Sequence, residues 1–141
     1  MEQRISLITL AVRDVDRARD FYAAMGWRGQ TVEGTVFFQA GGSALVLWSR
    51  DLLAADAGVA LADAPGPVAL AQNVRSPADV DKVLAAAVTA GATVTSPAAT
   101  TFYGGYAGYF ADPDGHVWEI AHNPGFTLAD DGSLVLPDFG T

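Results

Sequence analysis

The feature that most constrains this chain is an internal repeat. Val12-Arg13 and Val74-Arg75 stand 62 residues apart, and each pair follows a strand-like apolar run and precedes a helix-like segment closed by glycine. In the first copy, the run from Ile5 to Val12 leads to Asp14 at a helix N-cap. Val15, Ala18, Phe21, Tyr22 and Met25 then recur at helical spacing, and Gly26 is placed to stop the helix. Strands are predicted near Arg28–Glu33, Thr35–Ala40 and Ser43–Trp48, separated by Gly34 and by the Gly41-Gly42 pair. In the second copy, Val68–Val74 is the opening strand and Ser76-Pro77-Ala78-Asp79 supplies an N-cap, a proline at the first helical position and an acid three residues after the cap. Val80, Val83, Leu84, Ala87 and Val88 form the apolar stripe of that helix, and Gly91 ends it. Strands are then predicted at Thr93–Ser96, Gly105–Ala111 and His116–His122.

Both copies therefore read β-α-β-β-β. One copy alone leaves a sheet face uncovered, so the expected fold is α+β, with paired βαβββ modules forming a curved, cleft-enclosing mixed sheet and helices outside. The expected organisation is one domain over residues 1–141: a first module at about 5–50, a linker at about 51–67, a second module at about 68–123 and a hairpin-like tail at 124–141. Phe126-Thr127-Leu128, Asp131-Gly132 and Leu134-Val135-Leu136 suggest that hairpin, which is expected to cover the cleft's mouth or to clasp a second subunit.

Composition excludes several functions. Hydrophobic residues make up 50% of the chain, yet Gly, Asp and Pro interrupt them before any run of about 20 accumulates, so no membrane span is expected. No basic-then-apolar leader is evident at Met1-Glu2-Gln3-Arg4, which makes the cytoplasm the expected compartment. Without cysteine there is no disulfide, thiolate metal site or cysteine nucleophile. Eight basic against sixteen acidic residues give a net charge of −8, which opposes binding to nucleic acid or anionic lipid.

Two stretches, Leu10-Ala11-Val12-Arg13-Asp14-Val15-Asp16-Arg17-Ala18-Arg19-Asp20-Phe21-Tyr22 and Phe110-Ala111-Asp112-Pro113-Asp114-Gly115-His116-Val117-Trp118-Glu119, resemble signatures of the vicinal oxygen chelate superfamily. That superfamily includes glyoxalase I, extradiol dioxygenases, fosfomycin-resistance enzymes and bleomycin-binding proteins. The resemblance covers roughly residues 5 to 123 and implies the same β-α-β-β-β order. It does not select an activity, because one scaffold carries many chemistries. Catalytic members usually hold a divalent metal with side chains from four strands. The resemblance places those positions at Leu7, Leu47, Ala69 and Glu119, of which only Glu119 is a donor. The neighbours Ser6, Ile8, Thr9, Val46, Trp48, Val68 and Leu70 include no His, Asp or Glu. His116 and His122 fall on the strand face opposite Glu119 and do not converge with it. No metal and no cofactor are expected.

Asp112-Pro113-Asp114-Gly115 is read as a tight turn. His116 is expected to be a partly exposed residue at its exit, and His122 to bond backbone. Of Phe37 and Phe38, alternation turns one towards the cleft. The resemblance brings Leu7, Thr9, Leu47, Ala69, Ala71, Asn73, Tyr109 and Glu119 to one cavity, mostly apolar, with Thr9 and Asn73 as hydrogen-bonding anchors and Glu119 as its charge. Tyr103 and Tyr106 lie in the glycine-rich approach to Tyr109 and offer flat faces with polar tips, either for a ligand or for packing.

The expected function is metal-independent binding, or sequestration, of a small apolar or aromatic metabolite or antibiotic, as bleomycin-binding relatives do. The alternative is a metal-free isomerase, lyase or cyclase with Glu119 as acid or base beside Tyr109. Metal-dependent glyoxalase or dioxygenase chemistry is disfavoured by the missing donors. A small-molecule ligand is the expected partner, and the resemblance implies a homodimer.

Overall fold

The computed structural model describes residues 1–66 and 68–140; Pro67, at the end of the expected linker, and Thr141, at the end of the tail, lie outside the described residues. The chain forms two compact units, residues 1–67 with 113–116, and residues 68–112 with 117–141. In the first, β1 (Leu7–Val12) leads into α1 (Val15–Ala24), followed by β2 (Gly29–Val32), β3 (Thr35–Ala40), β4 (Ser43–Ser49) and the short α2 (Arg50–Ala57). The second repeats the pattern with β5 (Ala69–Asn73), α3 (Pro77–Ala90), β6 (Thr93–Thr100), β7 (Tyr106–Ala111) and β8 (Val117–His122). It ends in the hairpin β9 (Thr127–Leu128) and β10 (Leu134–Val135). The sheets have strand orders β1-β4-β3-β2 and β5-β8-β7-β6, each with one parallel pair and two antiparallel pairs, so the α+β class and the two βαβββ modules stand. Among the described residues no helix is long and apolar enough to cross a membrane.

Local chemistry sets the helix limits. Asp14 accepts from the Arg17 amide at 3.0 Å to cap α1. Ser76 accepts from the Asp79 amide at 3.2 Å and donates its hydroxyl to the Asp79 carboxylate at 2.8 Å, a reciprocal cap that starts α3 at Pro77. Gly26 and Gly91, at φ 94° and 110°, take the left-handed conformation that turns the chain out of each helix. One strand runs longer than its sequence suggests. β6 continues through Pro97 to Thr100, which is tolerated because β6 is the terminal strand of its sheet and its register shifts around that point.

Each sheet packs its helix on one face. In the first unit that face buries Leu10, Val12, Val36, Phe38, Leu45 and Leu47 with Ala18, Phe21 and Tyr22 of α1, and Phe38 lies 5.8 Å from Tyr22 and 5.7 Å from Trp27. Phe37 points the other way and is partly exposed. In the second unit Phe110, Trp118 and Ile120 pack with Val80, Leu84 and Ala87 of α3, and Phe110 stacks on its cross-strand neighbour Trp118. Leu47 corrects an expectation. It pairs with Leu10 and Val36, is fully buried, and belongs to the α1 face, whereas Leu7 and Thr9 pair with Ala44 and Val46 on the opposite face. A placement one residue off reverses the face of a strand side chain.

The repeated arginines share a task. Arg13 donates to the Asp63 carbonyl at 2.9 Å, in the segment that follows the first module. Arg75 donates to the carbonyls of Leu128, Ala129 and Asp130 at 3.4, 2.6 and 3.3 Å, in the segment that follows the second. The tail hairpin is thereby held by its own chain.

Leu47→Ala is expected to destabilise the protein by about 2–5 kcal/mol in urea unfolding, and Thr9→Ala by no more than about 0.5 kcal/mol, as for an exposed position. Arg75→Ala is expected to raise hydrogen exchange in residues 127–135 selectively, leaving α3 protected.

Candidate functional site

The face of the second sheet away from α3 is built by strand alternation. Its central row runs straight across four strands: Ala71 of β5 opposes Glu119 of β8, Glu119 opposes Tyr109 of β7, and Tyr109 opposes Ser96 of β6. The row on one side is Ala69, Val117, Ala111 and Thr93, and on the other Asn73, Ala121, Ala107 and Ala99. A polar centre is thus framed almost wholly by small side chains.

Tyr109 stands directly opposite Glu119 across β7 and β8, where its hydroxyl can donate a hydrogen bond to the carboxylate. Burial first, then the Glu119 charge and this hydrogen bond, and finally the nearby Tyr103, hold the Tyr109 phenol above its usual value. Tyr109 therefore stays a protonated donor at neutral pH. Glu119 keeps lone pairs for another donor, because a carboxylate has about four acceptor sites and Tyr109 takes one. The pair can hold an N–H or O–H group of a ligand, or accept a proton from it.

The structure brings Ala69, Ala71, Asn73, Tyr109 and Glu119 to this one face, and Tyr103 within electrostatic reach of Tyr109. Tyr106 is not among them. It lies three residues from Tyr109, so it points to the opposite face, where its hydroxyl donates to Asp81 of α3 at 3.0 Å. Leu7, more than half exposed, and Thr9 lie in the first unit, on the face of its sheet away from α1, with Val46 and Trp48 as the β4 residues of that face. Leu47 is on the other side, as described above.

Both histidines are engaged with backbone. A His116 ring nitrogen lies 2.8 Å from the Ala11 carbonyl oxygen, and one of His122 lies 3.2 Å from that of Val74. Asp114 of the tight turn is buried and accepts from the Arg13 amide at 2.9 Å, a structural use of the turn.

The donor set does not fit a metal ion. Within the second unit, Glu119 stands between Ala71 and Tyr109 on its sheet, with no His, Cys or Asp directly beside it. Among the described residues no three His, Cys, Asp or Glu side chains are grouped to hold one. A catalytic zinc site needs about three protein ligands.

Sequence reasoning missed a groove of about 480 Å³ between the end of β5 and the tail hairpin, lined by Gln72, Asn73, Arg75, Asp79, Leu128 and Asp131 among others. Its walls are more than 50 residues apart in the chain, joined by Arg75, and no local pattern signals that contact. It also missed Ser96, Ala107, Ala111 and Val117 on the site face, which alternation along β6, β7 and β8 could have supplied.

The model of the glyoxalase/bleomycin resistance protein/dioxygenase superfamily matches residues 4–120. Among solved structures, a glyoxalase-related enzyme from Fulvimarina pelagi is 38% identical, with a TM-score of 0.91, over 96% of this chain and 99% of that one. A glyoxalase/bleomycin resistance protein/dioxygenase from Nocardioides is 27% identical over 92% of this chain and 91% of its own, at a TM-score of 0.73. A lactoylglutathione lyase from Agrobacterium tumefaciens, 23% identical over 86% and 94%, shares the fold at a TM-score of 0.65. No curated protein matches the chain.

Glu119→Gln is expected to move the Tyr109 ionisation down towards the ordinary phenol value, since it removes the negative charge that opposes phenolate formation. Ultraviolet titration of phenolate absorbance, with Tyr109→Phe identifying the transition, reads the change.

Proposed function

The chain belongs to the glyoxalase/bleomycin resistance protein/dioxygenase superfamily, and on that premise we propose that it binds a small apolar or aromatic molecule, a metabolite or antibiotic, without a metal. The observation that carries this reading is the Glu119–Tyr109 pair at the centre of a face of small side chains, with no second metal donor beside it. Ala69, Ala71, Ala107, Ala111 and Ala121 leave room for a flat body. Glu119 and Asn73 fix its polar groups, an apolar surface with few anchors being the usual make-up of a small-molecule site. A cytoplasmic location and a homodimer belong to the same proposal, the latter by family resemblance alone.

The hydrogen bond between Tyr109 and Glu119 also favours a second reading, proton transfer. Glu119 would take a proton from a carbon or oxygen of the ligand and return it to an adjacent atom, while Tyr109, still protonated, donates to the oxygen on which charge develops. That is an isomerisation, with no net gain or loss of atoms.

Native mass spectrometry of the protein purified from its own host, with and without a chelator, tests the binding reading. A bound organic compound that survives chelation, is released unchanged, and binds about ten- to a hundredfold more weakly to Glu119→Gln is the expected result, in line with loss of a charged hydrogen bond. Near-stoichiometric transition metal whose removal also releases the compound overturns metal independence. Conversion of the compound that disappears in Glu119→Gln replaces sequestration with catalysis.

A further inference from the structure

Resting on that reading, we propose that the loop between β6 and β7 forms an aromatic wall of the same site and selects a planar aromatic ligand that carries a hydrogen-bond donor, its ring against Phe102 and Tyr103 and its donor on Glu119. The loop is already folded into its working shape. The Thr101 amide donates to the Gly105 carbonyl at 2.9 Å, the Gly104 amide to the Thr101 carbonyl at 3.1 Å, and the Gly105 amide to the Thr101 hydroxyl at 2.9 Å. A ring carried on such a turn loses little freedom when a ligand arrives, which favours affinity.

Gly105 lets Tyr103 fold back. A Cβ at this position would clash with both the Tyr103 ring and the His122 carbonyl oxygen, so no larger residue fits without moving both. Tyr103, in turn, meets Phe102 edge to face, with ring centroids 5.2 Å apart and planes at 84°. It is also near enough to Tyr109 for their phenols to interact electrostatically. The Phe102–Tyr103 pair of the loop and the Tyr109–Glu119 pair of the sheet both belong to the second unit.

Phe102 is the unexplained member. It is fully exposed, although its turn is held by three hydrogen bonds. An aromatic ring kept in water on an ordered turn suits stacking with another ring. The carboxylate decides the other half of the ligand: with the Tyr109 phenol held protonated, Glu119 accepts an N–H or O–H and repels an anion.

Titrating the full chain with 2-naphthol, naphthalene and 2-naphthoate, followed by amide NMR shifts, tests the inference. 2-Naphthol is expected to perturb Phe102, Tyr103, Tyr109 and Glu119, with naphthalene weaker and 2-naphthoate weakest. Phe102→Ala, at an exposed position that leaves folding intact, is expected to weaken 2-naphthol about tenfold. Perturbation of Tyr109 and Glu119 with unchanged affinity in Phe102→Ala overturns the aromatic wall and leaves the binding reading standing. Equal affinity for 2-naphthoate overturns the donor requirement. If none of the three probes perturbs the Glu119 face, both the wall and the binding reading fail.

Discussion

A helix laid on one face of each four-stranded sheet is the constraint on which the remaining structure depends. It sorts the side chains of every strand into a set that must be large and apolar and a set released from packing against the helix. Phe110, Trp118 and Ile120 meet α3 in one set, and Tyr109, Glu119 and Ala121 occupy the other. The candidate site is what the second set can hold once the first has supplied the core.

Register turns that freedom into chemistry. Glu119 and Tyr109 are ten residues apart in the chain but directly opposite each other across β7 and β8, which sets a phenol donor against a carboxylate acceptor. Ala71 on the other side of Glu119 presents only a methyl group beside the carboxylate.

The equivalent arginines add a second principle. Arg13 and Arg75 occupy matching positions of the repeat, and each binds peptide carbonyls of the segment that leaves its module. Five N–H donors in a fixed fork suit this use, since several carbonyls can be held at once. The tail hairpin is too short to be stable alone, and Arg75 ties it beside the end of β5.

The order of strands and helices, the caps at Asp14 and Ser76, and the stops at Gly26 and Gly91 were all legible in the residues themselves. Each depends on side chains a few positions apart or on residue type alone. That Glu119 and Tyr109 share a sheet face was also legible through strand alternation. Leu47 and Tyr106 were not, because the face of a strand residue depends on its phase relative to its partner strands, and one step reverses it. The role of Arg75 and the groove beside β5 were decided by tertiary structure. Those contacts join loops to distant backbone, where no periodicity records which group a side chain will meet.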